Sequence, residues 1–343
     1  MIKDILKEAF ILKEKGYYKY AIESFYKALE LDNNSVELLL DIADCYYLMN
    51  DYERAVGYIE QILEKNPTHI ESLKLLKKIF IDKKAWNEAE QTTKNIYCIS
   101  KNLDDLAEIF RFLNKQKRYS EIFEYNTEAY SDKLYYEMAY AKYKTLEFED
   151  AENYINKAIE LNAKEDYYLL KGKILFKQNK EDDCIPLLEK LNDGSDNPEL
   201  LNFLGLIAQY QGEYKKAVNC FLKAIKILPK NHEYYYNCAS TYFKMSEKTY
   251  AKKYYNLAIS LAPDNQNYHF ALANLYYSER NFKRAFEELN YDFFEANLLK
   301  SIILYDTGYV ALAKKALLDL QKENANNPIV IEYLTKIEED LKI

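Results

Sequence analysis

A short pattern returns along almost the whole chain at a spacing close to 34 residues, and this recurrence restricts the fold more than any other feature. Tyr52-Glu-Arg-Ala55, Tyr214-Lys-Lys-Ala217 and Phe282-Lys-Arg-Ala285 are three of its copies. Taking the last residue of each as an anchor gives the series Ala21, Ala55, Ala89, Ala151, Cys184, Ala217, Ala251, Ala285 and Ala313. Successive spacings are 34, 34, 62, 33, 33, 34, 34 and 28. The spacing of 62 holds one more, degenerate unit anchored at Glu121 or Ile122, which makes about ten units in all.

Each unit reads as two helices. Four and seven residues after the anchor stand Phe25 and Ala28, Ile59 and Ile62, Ile155 and Ala158, Phe221 and Ala224, and Tyr255 and Ala258. These i, i+4, i+7 sets form one apolar face of a second helix, B. Pro67, Pro229 and Pro263, twelve residues after their anchors, end it, because proline cannot continue a helix. Twelve residues before the anchor, in the first helix, A, stand Ala9, Ala43, Ala139, Gly172, Gly205, Ala239 and Ala273, small enough for B to approach A closely. Gly16, Gly212 and Gly308, five before, suit the left-handed conformation of a tight A–B turn. With only 7 glycines and 6 prolines in 343 residues, long helices joined by short turns are the expected architecture.

This small–Tyr/Phe–Ala–Phe–Ala–Pro signature resembles the tetratricopeptide-repeat family over nearly the whole chain, most closely over 199–292. The large residue opening helix A, often Trp in the family, is here Leu39, Leu73, Tyr135, Tyr168, Leu201, Tyr235 or His269, and the lone Trp86 falls in the third A–B turn. The resemblance implies an all-α, right-handed superhelical solenoid of about ten antiparallel helix-turn-helix repeats with a C-terminal capping helix. The cap is expected from Asn327-Pro328 onward, with Val330, Leu334, Ile337 and Leu341 as its buried stripe. By regularity the chain divides into 1–130, where the fourth repeat is degenerate, a regular stretch 131–292, and a divergent repeat plus cap at 293–343. The two short spacings require shortened B helices, from which a change of pitch or a kink is expected, with residue 130 the place for a subdomain joint. Pro186, two past its anchor, predicts a late start for its B helix, near Asp183.

A net charge of −8 argues against the basic face that a phosphate backbone or an anionic membrane needs, so no nucleic-acid partner and no membrane insertion are expected. No apolar run approaches the roughly 18–20 residues of a membrane span, and the first residues lack the pattern of a secretory leader. Cys45, Cys98, Cys184, Cys220 and Cys238 are odd in number and have no paired spacing, which points to a reducing cytoplasm. His69, His232 and His269 lie far apart and form no metal-ligand pair. No phosphate loop or nucleophile–base motif stands out. The expectation is a non-enzymatic protein without cofactors, its cysteines at packing positions.

The 35 tyrosines carry more information, because many come in doublets whose members point about 100° apart on a helix. Tyr46, Tyr135, Tyr168, Tyr235, Tyr242 and Tyr276 fall at packing positions of the repeat. Fifteen, eleven and eight residues before the anchor lies the A-helix face that, by the resemblance, lines a concave ligand groove. It comprises Tyr136, Tyr140 and Tyr143, then Leu169, Lys173 and Phe176, then Asn202, Leu206 and Gln209, then Tyr236, Ser240 and Phe243, then Phe270, Asn274 and Tyr277. Tyrosine offers large contact area at small entropy cost, and Asn202 and Asn274 could pair with the backbone of an extended peptide. The expected function is therefore a scaffold or adaptor binding a peptide segment or helix of another protein. The alternative is a regulator or assembly factor acting through self-association or its convex or N-terminal surface. In the first three units the same face carries Asp44, Lys74 and Lys78. Asp41 and Asp44 occupy positions where a clamp for a C-terminal carboxylate would need donors.

Overall fold

The computed structural model describes residues 2–32, 35–192 and 196–340, and among these every regular element is helical. The chain forms two compact units, Met1–Leu187 and Leu188–Ile343. The first holds α1 (Ile2–Glu14), α2 (Tyr18–Leu31), α3 (Val36–Leu48), α4 (Tyr52–Lys65), α5 (Ile70–Asp82), α6 (Trp86–Ser100) and α7 (Leu103–Lys115). A 3-10 segment, Tyr119–Glu124, comes next, then α8 (Asp132–Lys144), α9 (Phe148–Leu161), α10 (Glu165–Lys177) and α11 (Glu181–Asn192), within which the division falls. The second holds α12 (Pro198–Tyr210), α13 (Tyr214–Ile227), α14 (His232–Lys244), α15 (Lys248–Leu261), α16 (Gln266–Ser278), α17 (Phe282–Glu288), α18 (Phe294–Asp306), α19 (Val310–Glu323) and α20 (Pro328–Asp340). Each unit is a solenoid of stacked A–B hairpins. The anchors are fully buried where B crosses A, and the alanines twelve residues before them are buried as well.

One device closes all ten hairpins among the described residues. Five residues before every anchor the backbone turns left-handed, at Gly16, Asn50, Lys84, Lys117, Leu146, Asn179, Gly212, Ser246, Arg280 and Gly308. The next residue then donates its N–H to the carbonyl five positions back, from Tyr17 to Leu12 (2.9 Å) through Glu213 to Ala208 (2.8 Å) to Tyr309 to Leu304 (2.8 Å). This closure satisfies the orphan carbonyls at the end of helix A. Most A helices begin differently, on side-chain caps, although α10 and α18 have none. Asn102, Asn197, Asn231, Asn265 and Asn327 each accept a first-turn N–H at 2.9–3.1 Å.

Leucine is an ill-suited residue for the closure. Leu146 holds φ 66° and is 70% exposed, so it suffers left-handed strain with little burial in return. Leu146→Gly should raise stability by up to about 1 kcal/mol, the relief of strain exceeding the entropy glycine loses. Urea unfolding with an unchanged slope measures it, and a lower midpoint would contradict the strain at Leu146.

The degenerate fourth unit is α7 with the 3-10 segment as its B element. Its anchor is Ile122, 1% exposed, five residues after left-handed Lys117. With B reduced to six residues, buried carboxylates take over part of the packing. Glu90 of α6 receives Gln116 Nε2 and Arg118 Nη1, both at 2.8 Å. Glu137 of α8 accepts from Arg111 Nε (3.1 Å) and Asn114 Nδ2 (2.8 Å). Burial holds Glu137 above the ordinary carboxylate range despite the opposing Asn114 and Arg111. Between its unfolded and folded values the native state binds the extra proton, so this group favours folding more as the pH falls. The stability of the wild type minus that of Glu137→Gln should accordingly rise as the pH is lowered from 7.5 to 5. A falling difference in parallel denaturant titrations would mean that Arg111 and Asn114 outweigh burial.

The ninth unit is shortened as its 28-residue spacing requires, with α17 only seven residues long. Pro186, by contrast, does not delay its helix. The turn closure (Lys180 N–H to Leu175 carbonyl, 3.0 Å) launches α11 at Glu181 before the proline is reached, leaving Pro186 inside the helix. Trp86 opens α6 rather than lying in the turn. In the cap α20, Val330, Leu334 and Ile337 are buried as expected, whereas Leu341 lies outside the described residues.

Candidate binding surfaces

The A-helix face marked by tyrosine is half-buried rather than open. In the first unit, Tyr136, Tyr140 and Tyr143 lie along α8 and Lys173 and Phe176 along α10, all partly exposed, while Leu169 is buried. Tyr136 stacks on Tyr167 of the following A helix at 4.9 Å between centroids. The Lys144 ammonium lies 5.2 Å over the Tyr140 ring and 5.7 Å over that of Tyr143.

In the second unit the same arrangement recurs on α12, α14 and α16. Tyr236 stacks on Tyr268 at 4.7 Å, and Phe270 meets Phe293 edge-on at 5.5 Å. Asn202 is buried, its carbonyl oxygen accepting from Asn237 Nδ2 at 2.9 Å. Gln209 Nε2 donates to Thr241 Oγ1 at 2.7 Å, and Asn274 Nδ2 to the Phe270 carbonyl at 2.9 Å. Tyr277 donates its hydroxyl to Asp306 at 2.7 Å; burial, reinforced by this bond, holds the phenol well above its usual range. Phe243 is partly exposed beside this cluster. Asn202 and Gln209 thus brace neighbouring repeats while Asn274 bonds within its own helix, and Asn202 in particular is withdrawn from the surface.

The structure also sorts the tyrosine doublets differently. Tyr46 and Tyr276 are buried, but Tyr135, Tyr168, Tyr235 and Tyr242 are only half-buried. Tyr167 and Tyr234, the first members of their runs, are buried instead, as is Tyr268; all three stand seventeen residues before their anchors, a position to which the repeat pattern assigned no role. Burial pushes the Tyr167 and Tyr268 phenols up to about 12. The missed signal was the first member of Tyr167-Tyr168 and of Tyr234-Tyr235.

The N-terminal repeats carry a cavity of about 360 Å³ with acidic and basic walls. Lys13 bridges Asp41 (2.9 Å) and Asp44 (2.8 Å) on one side, and Lys74 and Lys78 line the other. Although burial works against it, the two carboxylates hold the Lys13 ammonium above its ordinary value. Cys45, Cys184 and Cys238 are fully buried, which pushes their thiols to about 11, 11 and 12. They stay protonated at neutral pH and serve as packing groups.

Models of the tetratricopeptide repeat match residues 12–79 and 232–265, and a TPR-repeat model matches 205–246. The TPR repeat-containing protein MJ1428 of Methanocaldococcus jannaschii is 25% identical over 283 residues, covering 79% of this chain and 48% of that protein. Tetratricopeptide repeats are thus present over residues 12–79 and 205–265 of this chain. This tetratricopeptide-repeat protein is also 23% identical to the BBSome complex member BBS4 of Bos taurus, over 99% of its own length and 60% of the relative's. It thus spans about half to three fifths of these curated relatives. Among solved structures, the APC/C hetero-tetramer Cut9–Hcn1 has a similar fold, with a TM-score of 0.60 at 12% identity over 97% of this chain and 75% of that one. A tetratricopeptide-repeat fold supports a role as a protein–protein interaction scaffold. No described helix is long and apolar enough to cross a membrane.

Proposed function

We propose that this protein is a non-enzymatic scaffold that holds an extended segment or helix of a partner protein against the aromatic face of its A helices. The observation that carries this reading is the partial exposure of one aromatic stripe at constant offsets, Tyr140 and Tyr143 on α8 and Phe243 on α14. A core would have buried these rings, and an ordinary surface would not have repeated them. The stacks beneath them, Tyr136 on Tyr167 and Tyr236 on Tyr268, fix the platform, so little order remains to be imposed on binding. The relative BBS4 is named as a member of a complex, which is in keeping with this role.

Photo-crosslinking tests the reading. A photoreactive residue placed at 143 or 243 should capture one and the same partner in cells, and Tyr140→Ala should weaken the capture at 143. Capture from B-helix positions such as Lys157 or Lys223, with none from 143 or 243, would move the partner to the opposite surface and refute the proposal.

A further inference from the structure

The shortened ninth repeat leaves a second surface that the A-helix groove does not use. Apart from the six-residue 3-10 segment of the fourth unit, the other B helices run twelve to fifteen residues, but α17 stops after seven. Its anchor Ala285 and Leu289, four residues on, are buried as in a full-length B helix. Beyond Leu289 the chain returns to α18 as irregular backbone, extended at Phe293 (φ −150°, ψ 158°). An extended segment is thinner than a helix of about 10 Å diameter. A cavity of about 290 Å³ remains, lined by Phe286, Leu304, Ala316 and Leu320, with Asp319 and Glu323 at its α19 edge. Phe286 is 42% exposed there.

We propose that this notch docks a short, cationic amphipathic helix from a partner protein, which completes the missing half of the B helix. Shape argues for a helix, because α17 stops about two turns short of a full B helix beside this space, and Phe286, Leu304, Ala316 and Leu320 give it an apolar wall, with Asn297, Lys300 and Ser301 along the α18 side. Charge argues for a cationic one. Residues 287–295 carry four acids and no lysine or arginine, and Asp319 and Glu323 add two carboxylates at the C-terminal end of α19, where the helix dipole is negative. Lys300 and Lys322, the latter paired with Asp319, offset only part of this. The site lies on B-helix and adjoining A-helix surfaces and is independent of the aromatic groove.

The probe is a fluorescein-labelled, end-blocked peptide of residues 214–228 carrying Cys220→Ser. It supplies a full B-helix stripe (Ala217, Phe221, Ala224) and lysines at 215, 216, 223 and 226. Anisotropy titration of the full chain should show saturable binding. Ala316→Arg, which fills the notch, and Glu323→Lys, which reverses its edge, should each weaken binding by about tenfold. A peptide with its four lysines changed to glutamate should lose binding to a similar degree. Circular dichroism checks the folding of both variants, and Glu323→Lys, an exposed change, carries the test if Ala316→Arg misfolds. Absence of saturable binding up to about 1 mM peptide, or binding indifferent to the variants and to peptide charge, would overturn the proposal.

Discussion

Truncating Phe221 to alanine should lower the unfolding free energy by about 3–5 kcal/mol, the range for deleting a fully buried aromatic ring. Phe221 is completely buried on α13, and a Cβ built on Gly205 of α12 would stand 2.6 Å from its Cε1 atom. Gly205→Ala alone should therefore also destabilise, by about 1–3 kcal/mol from overpacking, reduced by about 1 kcal/mol of helix propensity. In the Phe221→Ala background the obstruction is gone, and the same Gly205→Ala change should become neutral or stabilising. That change of sign in a double-mutant cycle is the diagnostic result. Additive effects would mean that Gly205 serves something other than the approach of α13. The first repeat shows why the sign is not trivial, since Ala9 and Phe25 hold the same offsets there and are both fully buried.

The second large effect is expected at the fourth unit. Ile122→Ala should cost about 2–5 kcal/mol, although the residue lies in a 3-10 segment of only six residues. If Ile122 is the anchor, its loss should release residues 119–124 before the rest of the first unit unfolds. Amide exchange would then accelerate there first, whereas Glu121→Ala, at the exposed end of an Arg118 ion pair, should leave exchange in α7 and α8 unchanged. Uniform exchange in Ile122→Ala would show that the segment is held by the Glu90–Arg118 pair instead.

The repeat could be read from the chain because alanine and phenylalanine at fixed offsets report a packing constraint that few other residues satisfy. The fourth anchor was narrowed to two adjacent residues, and Lys117 decides for Ile122. Seven of the ten left-handed turn residues stayed hidden, since the closure tolerates Asn, Lys, Leu, Ser and Arg, and only the glycines advertise it. The start of α11 was misjudged because Pro186 is a strong local signal, while the turn that launches the helix leaves no residue signature. Burial within the tyrosine doublets depends on how far one A helix reaches over the next. That tertiary quantity is absent from a single repeat, which is why Tyr167 and Tyr234 were passed over.

The turn closure has an evolutionary consequence. Because it is made by main-chain atoms alone, it constrains neither the composition nor the length of the B element after it. That element can shrink to seven residues, as in α17, or to six, as in the fourth unit, and the next hairpin still closes in the same way. Repeat number and B-helix length can therefore drift separately. New surfaces such as the ninth-repeat notch can arise by small deletions that leave the neighbouring hairpins intact.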